Sequence, residues 1–251
     1  MKSKIILILA VSLISLSVFS AEPKSKYGPE ATVLSQSHEY FQKHAAPGFW
    51  SLIPYYQAQQ DDRSCSVASV AMVVNAARVG KKLTADDELV TQSGLLKRLQ
   101  STDWPKWVGT GGHGVTLDQL RSLVENALKS YGVEGATVQV VHTTDASAQT
   151  KALLHKALVA SESSPRAFII INFIQGAYTG DADVGHIAPV GAYDSGRKRV
   201  LVLDPDRQWY EPYWVSEETL IKGMVTHDNE SGISRGYLLV ELAPKHGRGA
   251  P

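Results

Sequence analysis

Apolar residues recur at helical spacing from Cys65 onward, at Val67, Val70, Ala71, Val74 and Ala77, and Gly80 follows as a stop. The pattern predicts a helix that opens on Cys65. A further helix is expected from a Thr84 cap through Leu96. Thr116 with Gln119 three residues on is a capping-box signal, so a helix should run to about Tyr131. Ala136 to His142 alternates as a half-buried strand does, and Ala146 to Ala160 is helical by pattern. Residues 101–115, with Trp104, Pro105, Trp107 and a glycine cluster around His113, read as a long loop.

The period changes in the second half. Ala167 to Phe173, His186 to Tyr193 and Arg199 to Leu203 read as strands, with a hairpin turn at Asp194-Ser195-Gly196. Ser216 caps a short helix, and Tyr237 to Leu242 closes the sheet. Helices followed by antiparallel strands predict an α+β fold, a helical lobe over about 48–160 and a sheet lobe over about 167–242. No linker of flexible composition separates them, so they belong to one domain spanning 48–245. Residues 21–47, with Pro23, Gly28, Pro29 and Pro47, read as a lead-in with little regular structure, and 246–251 as a tail.

At the N-terminus, Lys2 and Lys4 precede an apolar or small-residue stretch from Ile5 to Phe19, and Val18 and Ser20 suit cleavage before Ala21. Residues 1–20 are expected to be a signal peptide. The protein is then exported, periplasmic or secreted in a bacterium, with no stable membrane span after cleavage. Retention of the stretch as an anchor stays open, although it is short for a span.

The 251 residues are 43% hydrophobic and 20% charged, which argues against disorder and for a sizeable core. With 25 basic against 25 acidic residues, no basic face is available for nucleic acid. The histidines show no ligand spacing with a cysteine or carboxylate cluster, so no metal site is expected. His38, His44, His113, His142, His155, His227 and His246 read mostly as ordinary surface or loop residues, and Asp61, Asp62, Asp181 and Asp183 as solvated carboxylates.

Cys65 is the single cysteine, so it has no disulfide partner within the chain. It is either a buried small hydrophobe or a reactive thiol. A helix N-terminus stabilises a thiolate, and attack then needs a base and a group that orients the base. His186 begins one strand of the predicted hairpin and Asp204 ends the other, so the turn brings them together. Asp204 would hold the imidazole in the tautomer that accepts a thiol proton. Gln59, just before Cys65, is a candidate amide donor to an oxyanion, although a solvated loop side chain reads the same way.

These residues resemble a known family. Tyr55-Tyr56-Gln57-Ala58-Gln59, Cys65-Ser66-Val67-Ala68-Ser69, Gly185-His186-Ile187-Ala188-Pro189-Val190-Gly191-Ala192-Tyr193, Leu203-Asp204-Pro205-Asp206-Arg207 and Pro212-Tyr213-Trp214-Val215 are similar, in order and spacing, to segments of phytochelatin synthases. Gly114-Val115-Thr116-Leu117 and Arg235-Gly236-Tyr237 also match, and the resemblance covers about residues 48–242. It implies a papain-like fold with the active site between the lobes, a triad of Cys65, His186 and Asp204, and Gln59 in the oxyanion hole. It further implies glutathione as substrate, with release of glycine and a γ-glutamylcysteinyl acyl-enzyme resolved by water or by a second glutathione. Asn172, Gly185 and Arg235 would contact the acyl group, Ser66 would lie beside the oxyanion site, and Arg207 would be a structural or second-substrate arginine.

No cofactor is expected to be required. Activation by cadmium or another soft ion, as a metal–glutathione thiolate, and a homodimer are compatible with the resemblance. The sequence departs from the family pattern at Ser66, where glycine is usual, at Ile174 and Gln175, where a basic residue is common, and in a longer segment from Ala177 to Val184. The Cys-rich C-terminal region of the plant and yeast enzymes has no counterpart in it, and short bacterial relatives of this kind lean toward hydrolysis of glutathione. A papain-like peptidase acting on another peptide and a non-catalytic glutathione- or peptide-binding module remain as alternatives.

Overall fold

The computed structural model describes residues 24–180 and 183–244; the signal peptide expected over 1–20, Asp181 and His246 lie outside the described residues. In chain order the elements are β1 (Thr32–Val33), α1 (Pro47–Leu52), α2 (Cys65–Ala77), α3 (Gln92–Arg98), α4 (Trp104–Val108), α5 (Leu117–Ser130), β2 (Thr137–His142), α6 (Ala148–Glu162), β3 (Ala167–Ile174), β4 (Gly185–Asp194), β5 (Arg199–Val202), β6 (Tyr213–Ser216), α7 (Glu217–Met224) and β7 (Gly236–Glu241). The strands form one antiparallel sheet in the order β1-β6-β5-β4-β3-β7-β2. The α+β class is therefore as the periodicity predicts.

Both faces of this sheet are covered, and the side-chain alternation of β3 shows how. Phe168 and Ile170 join the core built by α2 and α5, whereas Ile169, Ile171 and Phe173 join a second core with Leu154 and Leu158 of α6 and Leu220 and Met224 of α7. A strand buried on both faces reads as a continuous apolar run, which is how Ala167 to Ile174 appears in the sequence.

This arrangement modifies the division into a helical half and a sheet half. β1 comes from the lead-in and β2 from the first half, and α6 packs on the sheet's far face instead of with the other helices. The helix expected from Thr84 starts later, at Gln92, where Thr91 caps by accepting from the Gly94 N–H. Thr84 instead holds the Asp87 carboxylate in a turn. Residues 101–115 contain α4, because Trp104 is buried and its indole N–H donates to Ser66 Oγ. β6 is too short to show a period by itself; pairing with β5 and β1 makes it a strand. The capping box at Thr116 and Gln119 forms with both of its hydrogen bonds.

α2 is buried from Ser66 to Ala77, so its sequence is apolar all round apart from polar side chains that each find a partner. Asn75 brackets Val90 through its amide, donating to the carbonyl and accepting from the N–H. Ser69 Oγ donates to the Ile187 carbonyl at 3.0 Å and so ties α2 to β4. Ser69→Ala removes that tie and leaves a buried carbonyl without its donor. It should lower the unfolding free energy by about 1–3 kcal/mol in a urea titration, with an unchanged slope.

Candidate active site

Cys65 is the first residue of α2, and the segment before it is held by its own polar groups. Ser64 Oγ accepts from the N–H groups of Gln60 and Asp61 and donates to the Asp61 carbonyl. The Ser64 hydroxyl is thus used by the loop and does not cap α2, which leaves N–H groups of the helix's first turn open at the cysteine. Gln92, buried at the start of α3, braces the same loop by donating to the Ala58 carbonyl and Gln57 Oε1 and accepting from the Gln60 N–H.

His186 is the second residue of β4, opposite Phe173 of β3, whose ring meets the imidazole edge to face at 5.5 Å. Asp204 follows the end of β5, where the Leu203 N–H still donates to the Pro189 carbonyl. The hairpin turn therefore does what its position in the sequence predicts: His186 Nε2 lies 2.7 Å from Asp204 Oδ1. A carboxylate only accepts, so Nε2 carries the proton of this bond, and Nδ1 is the nitrogen left for the Cys65 thiol.

Asp204 is fully buried, yet its oxygens are well supplied. Oδ1 also accepts from the Asp206 N–H at 2.9 Å, and Oδ2 accepts from the Tyr213 hydroxyl at 2.8 Å. Burial pushes its pKa up, but the His186 charge and these donors outweigh burial and hold it below the usual carboxylate range. For His186, burial favours the neutral ring, while Asp204 and the hydrogen bond to Cys65 favour the imidazolium, and the net pKa lies well above the ordinary value. The stabilisation from charged His186 is thus fully present below the unfolded-state pKa and is lost as pH rises through the raised folded value.

Cys65 and His186 open on a cavity of about 270 Å³, also lined by Asn172, Gly185, Asp228 and Arg235. Arg235 is 5% exposed; its Nη1 donates to Asn172 Oδ1 at 2.7 Å and to Asp228 Oδ2 at 2.9 Å, while its Nε has no partner. A Cβ at Gly185 would lie 2.7 Å from Arg235 Nη1, so the glycine leaves the space that the guanidinium occupies.

The remaining sequence candidates lie outside this cavity. The Gln59 N–H donates to the Pro205 carbonyl at 2.8 Å, next to Asp204 in sequence, and its Oε1 is buried without a partner. Gln59 and exposed Arg207 line a separate cavity of about 350 Å³. Arg207 lies 4.6 Å from the ring centre of Tyr56, whose hydroxyl donates to the Asp204 carbonyl. Ser66 is 1% exposed and its hydroxyl accepts from the Trp104 indole N–H, so its side chain faces the core. His113 is corrected, from ordinary loop residue to part of the cavity wall. Sequence reasoning missed Tyr213, Asp228 and Gln92 as supporting groups, since nothing in their local pattern marks a residue that bonds across the fold.

Among the described residues, no group of three or more His, Cys, Asp or Glu side chains gathers as a metal site. No helix among them is long and apolar enough to cross a membrane.

Tyr213→Phe keeps the ring and removes one of the donors to Asp204; a loss of about 1.5–3 kcal/mol in unfolding free energy is expected by chemical denaturation. In an NMR titration, the His186 ring should retain its charge above the ordinary midpoint of about 6.5. Asp204→Asn should bring that midpoint down, because burial then meets less opposition.

A family model described as phytochelatin synthase matches residues 24–237. The chain is 26% identical over 205 residues to "Glutathione gamma-glutamylcysteinyltransferase 1" of Arabidopsis thaliana, covering 81% of this chain and 39% of that protein. It is 26% identical over 204 residues to the protein of the same name from Lotus japonicus, covering 80% of this chain and 37% of the relative. Over 68 residues it is 40% identical to "Glutathione gamma-glutamylcysteinyltransferase" of Schizosaccharomyces pombe, covering 27% of this chain and 15% of that protein. The chain thus spans about two fifths of the length of the plant relatives it matches. A family match that runs from the lead-in to the start of β7, over a fold in which a cysteine, a histidine and an aspartate converge, establishes that the chain belongs to the phytochelatin synthase family.

Proposed function

We propose that the protein is a thiol acyltransferase and peptidase acting on glutathione, with a papain-like arrangement of its catalytic groups. The observation that carries the reading is the buried imidazole of His186, bonded through Nε2 to Asp204 and interacting with Cys65 at the wall of one cavity. A nucleophile at the start of a buried helix and a base on an antiparallel hairpin are the two halves of a cysteine-peptidase centre.

In the proposed reaction the Cys65 thiolate attacks the carbonyl carbon between the cysteine and glycine of glutathione. The oxyanion is met by the Cys65 backbone N–H and the amide of Gln59. The proton on His186 Nδ1 passes to the leaving nitrogen, the C–N bond breaks, and glycine departs from a γ-glutamylcysteinyl thioester. His186 then takes a proton from water, giving γ-glutamylcysteine, or from the α-amine of a second glutathione, giving a longer peptide and restoring the thiol in either case. Asn172, Gly185 and Arg235 hold the acyl part, since a guanidinium is suited to a carboxylate. Hydrolysis is the proposed main outcome and transpeptidation the secondary one. Soft ions such as cadmium are proposed to enter as the thiolate of the substrate, and the reaction is proposed to take place after export.

Residues 21–251 incubated with glutathione should release glycine, detected by mass spectrometry, and Cys65→Ala should abolish the release. Gln59→Ala should reduce kcat by about 10²–10³-fold. A peptide ladder that grows when cadmium is added would establish transfer through a metal thiolate. If glutathione stays intact while Cys65 is readily alkylated in mild acid, the centre is active on a different peptide.

A further inference from the structure

A cavity of about 800 Å³ opens at the end of α2 opposite Cys65, about 20 Å from it along the helix. The proposed reaction makes no use of it. Its walls come from the segment after α2, the loop before α3, and the ends of α3 and α5. Arg78, Lys81, Lys97, Arg98 and Lys129 line it, against the carboxylates of Asp86, Asp87 and Glu88.

One cation at a helix C-terminus is ordinary, because the helix dipole favours it there. Here the C-terminal ends of α2, α3 and α5 share one cavity, so their cations are brought together. The carbonyls at the end of α5 are already taken. The N–H groups of Tyr131, Gly132 and Val133 donate to Ala127, Lys129 and Leu128, and Arg98 Nη1 donates to the Ser130 carbonyl at 2.8 Å. The carboxylate side is partly spent as well. Asp87 accepts from the N–H and hydroxyl of Thr84 and lies 3.4 Å from Arg78 Nη2.

The basic groups are held in different ways. Arg78 is 5% exposed; its Nη1 donates to the Glu88 carbonyl, and its Nε is buried with no partner. With Asn75, which brackets Val90, it keeps the loop before α3 against the end of α2. The Arg98 guanidinium lies 4.3 Å from the ring centre of Tyr131, and that of Arg78 lies 5.6 Å from it. A Cβ at Gly132 would lie 2.9 Å from Lys81 Nζ, so the glycine leaves room for that ammonium against the end of α5. Lys97 and Lys129 are exposed, and among the described residues their side chains have no ion pair or hydrogen bond.

Cations gathered in one concavity raise the local potential and concentrate anions there, and the volume suits a small molecule. We propose that this cavity is a binding site for a compact, multiply charged oxyanion, a small molecule bearing phosphates or several carboxylates. Lys81, Lys97 and Lys129 meet its charges, and Arg98, resting on Tyr131, presents a fixed fork of donors. Arg78 holds the wall in place. The site is separate from the thiol chemistry and does not depend on the glutathione reading.

Thermal unfolding of the purified protein in inorganic pyrophosphate, citrate or sodium chloride, at matched ionic strength, tests this. The unsubstituted protein is compared with two double variants. One is Lys97→Gln with Lys129→Gln; the other is Lys151→Gln with Lys156→Gln, which removes the same charge from α6 on the other face of the sheet. Pyrophosphate or citrate should raise the midpoint saturably and beyond the effect of chloride. The stronger of the two identifies phosphate or carboxylate as the ligand's chemistry. Loss of Lys97 and Lys129 should weaken the apparent affinity about five- to thirtyfold, as two exposed charged contacts would, and the α6 variant should match the unsubstituted protein. Midpoints that follow ionic strength alone, or a saturable rise that survives the loss of Lys97 and Lys129, would overturn the site.

Discussion

The hydrogen bond between His186 and Asp204 is the interaction on which the rest of the site depends. It joins two ionisable groups that are almost fully out of water, where an unpaired charge would be costly. Its survival there is helped by further donors to the carboxylate, the Tyr213 hydroxyl and the Asp206 N–H. The surrounding aromatic side chains add shape to it. Tyr27, in the segment before β1, packs edge to face on Tyr213 at 5.7 Å, so the first described residues of the chain help to enclose the Asp204 carboxylate, far from them in sequence.

A second constraint acts on Cys65, which belongs to a different layer of the fold. The thiol sits on a helix packed against one face of the sheet, while His186 lies within the sheet itself. A buried helix can slide unless polar contacts fix its register, and Ser69, Asn75 and Ser66 provide such contacts to β4, to Val90 and to Trp104. Ser66, beside Cys65, gives its hydroxyl to the core through Trp104. The Gln59 backbone N–H is pinned to the Pro205 carbonyl, next to Asp204, while its side-chain oxygen is left without a partner.

The cavity is built from both sides of the molecule, which explains its graded chemistry. Its inner wall is a closed network of Asn172, Arg235 and Asp228, rigid because each member is bonded to the next. At its rim His113 and Glu230 face each other from two loops, 3.8 Å apart. Gln59 and Arg207 line a second cavity with Asp206, which follows Asp204 closely in sequence.

Much of this was readable along the chain, for physical reasons that are local. Cys65 at the start of an apolar run, the Thr116 capping box and the hairpin turn after Asp194 each rest on contacts within a few residues, so pattern alone sets them. The meeting of His186 and Asp204 follows from the same hairpin, and the resemblance to the family added roles for residues whose local pattern is neutral. What only the tertiary structure decided rests on contacts between distant segments. α6 joined the far face of the sheet because Leu154 and Leu158 met β3 there, and Trp104 became buried because Ser66 offered its indole a partner. Tyr213, Asp228 and His113 carry no local mark of their positions. Each is placed by strands and loops that pair across the fold, and a linear pattern holds no information about which distant polar group a side chain will reach.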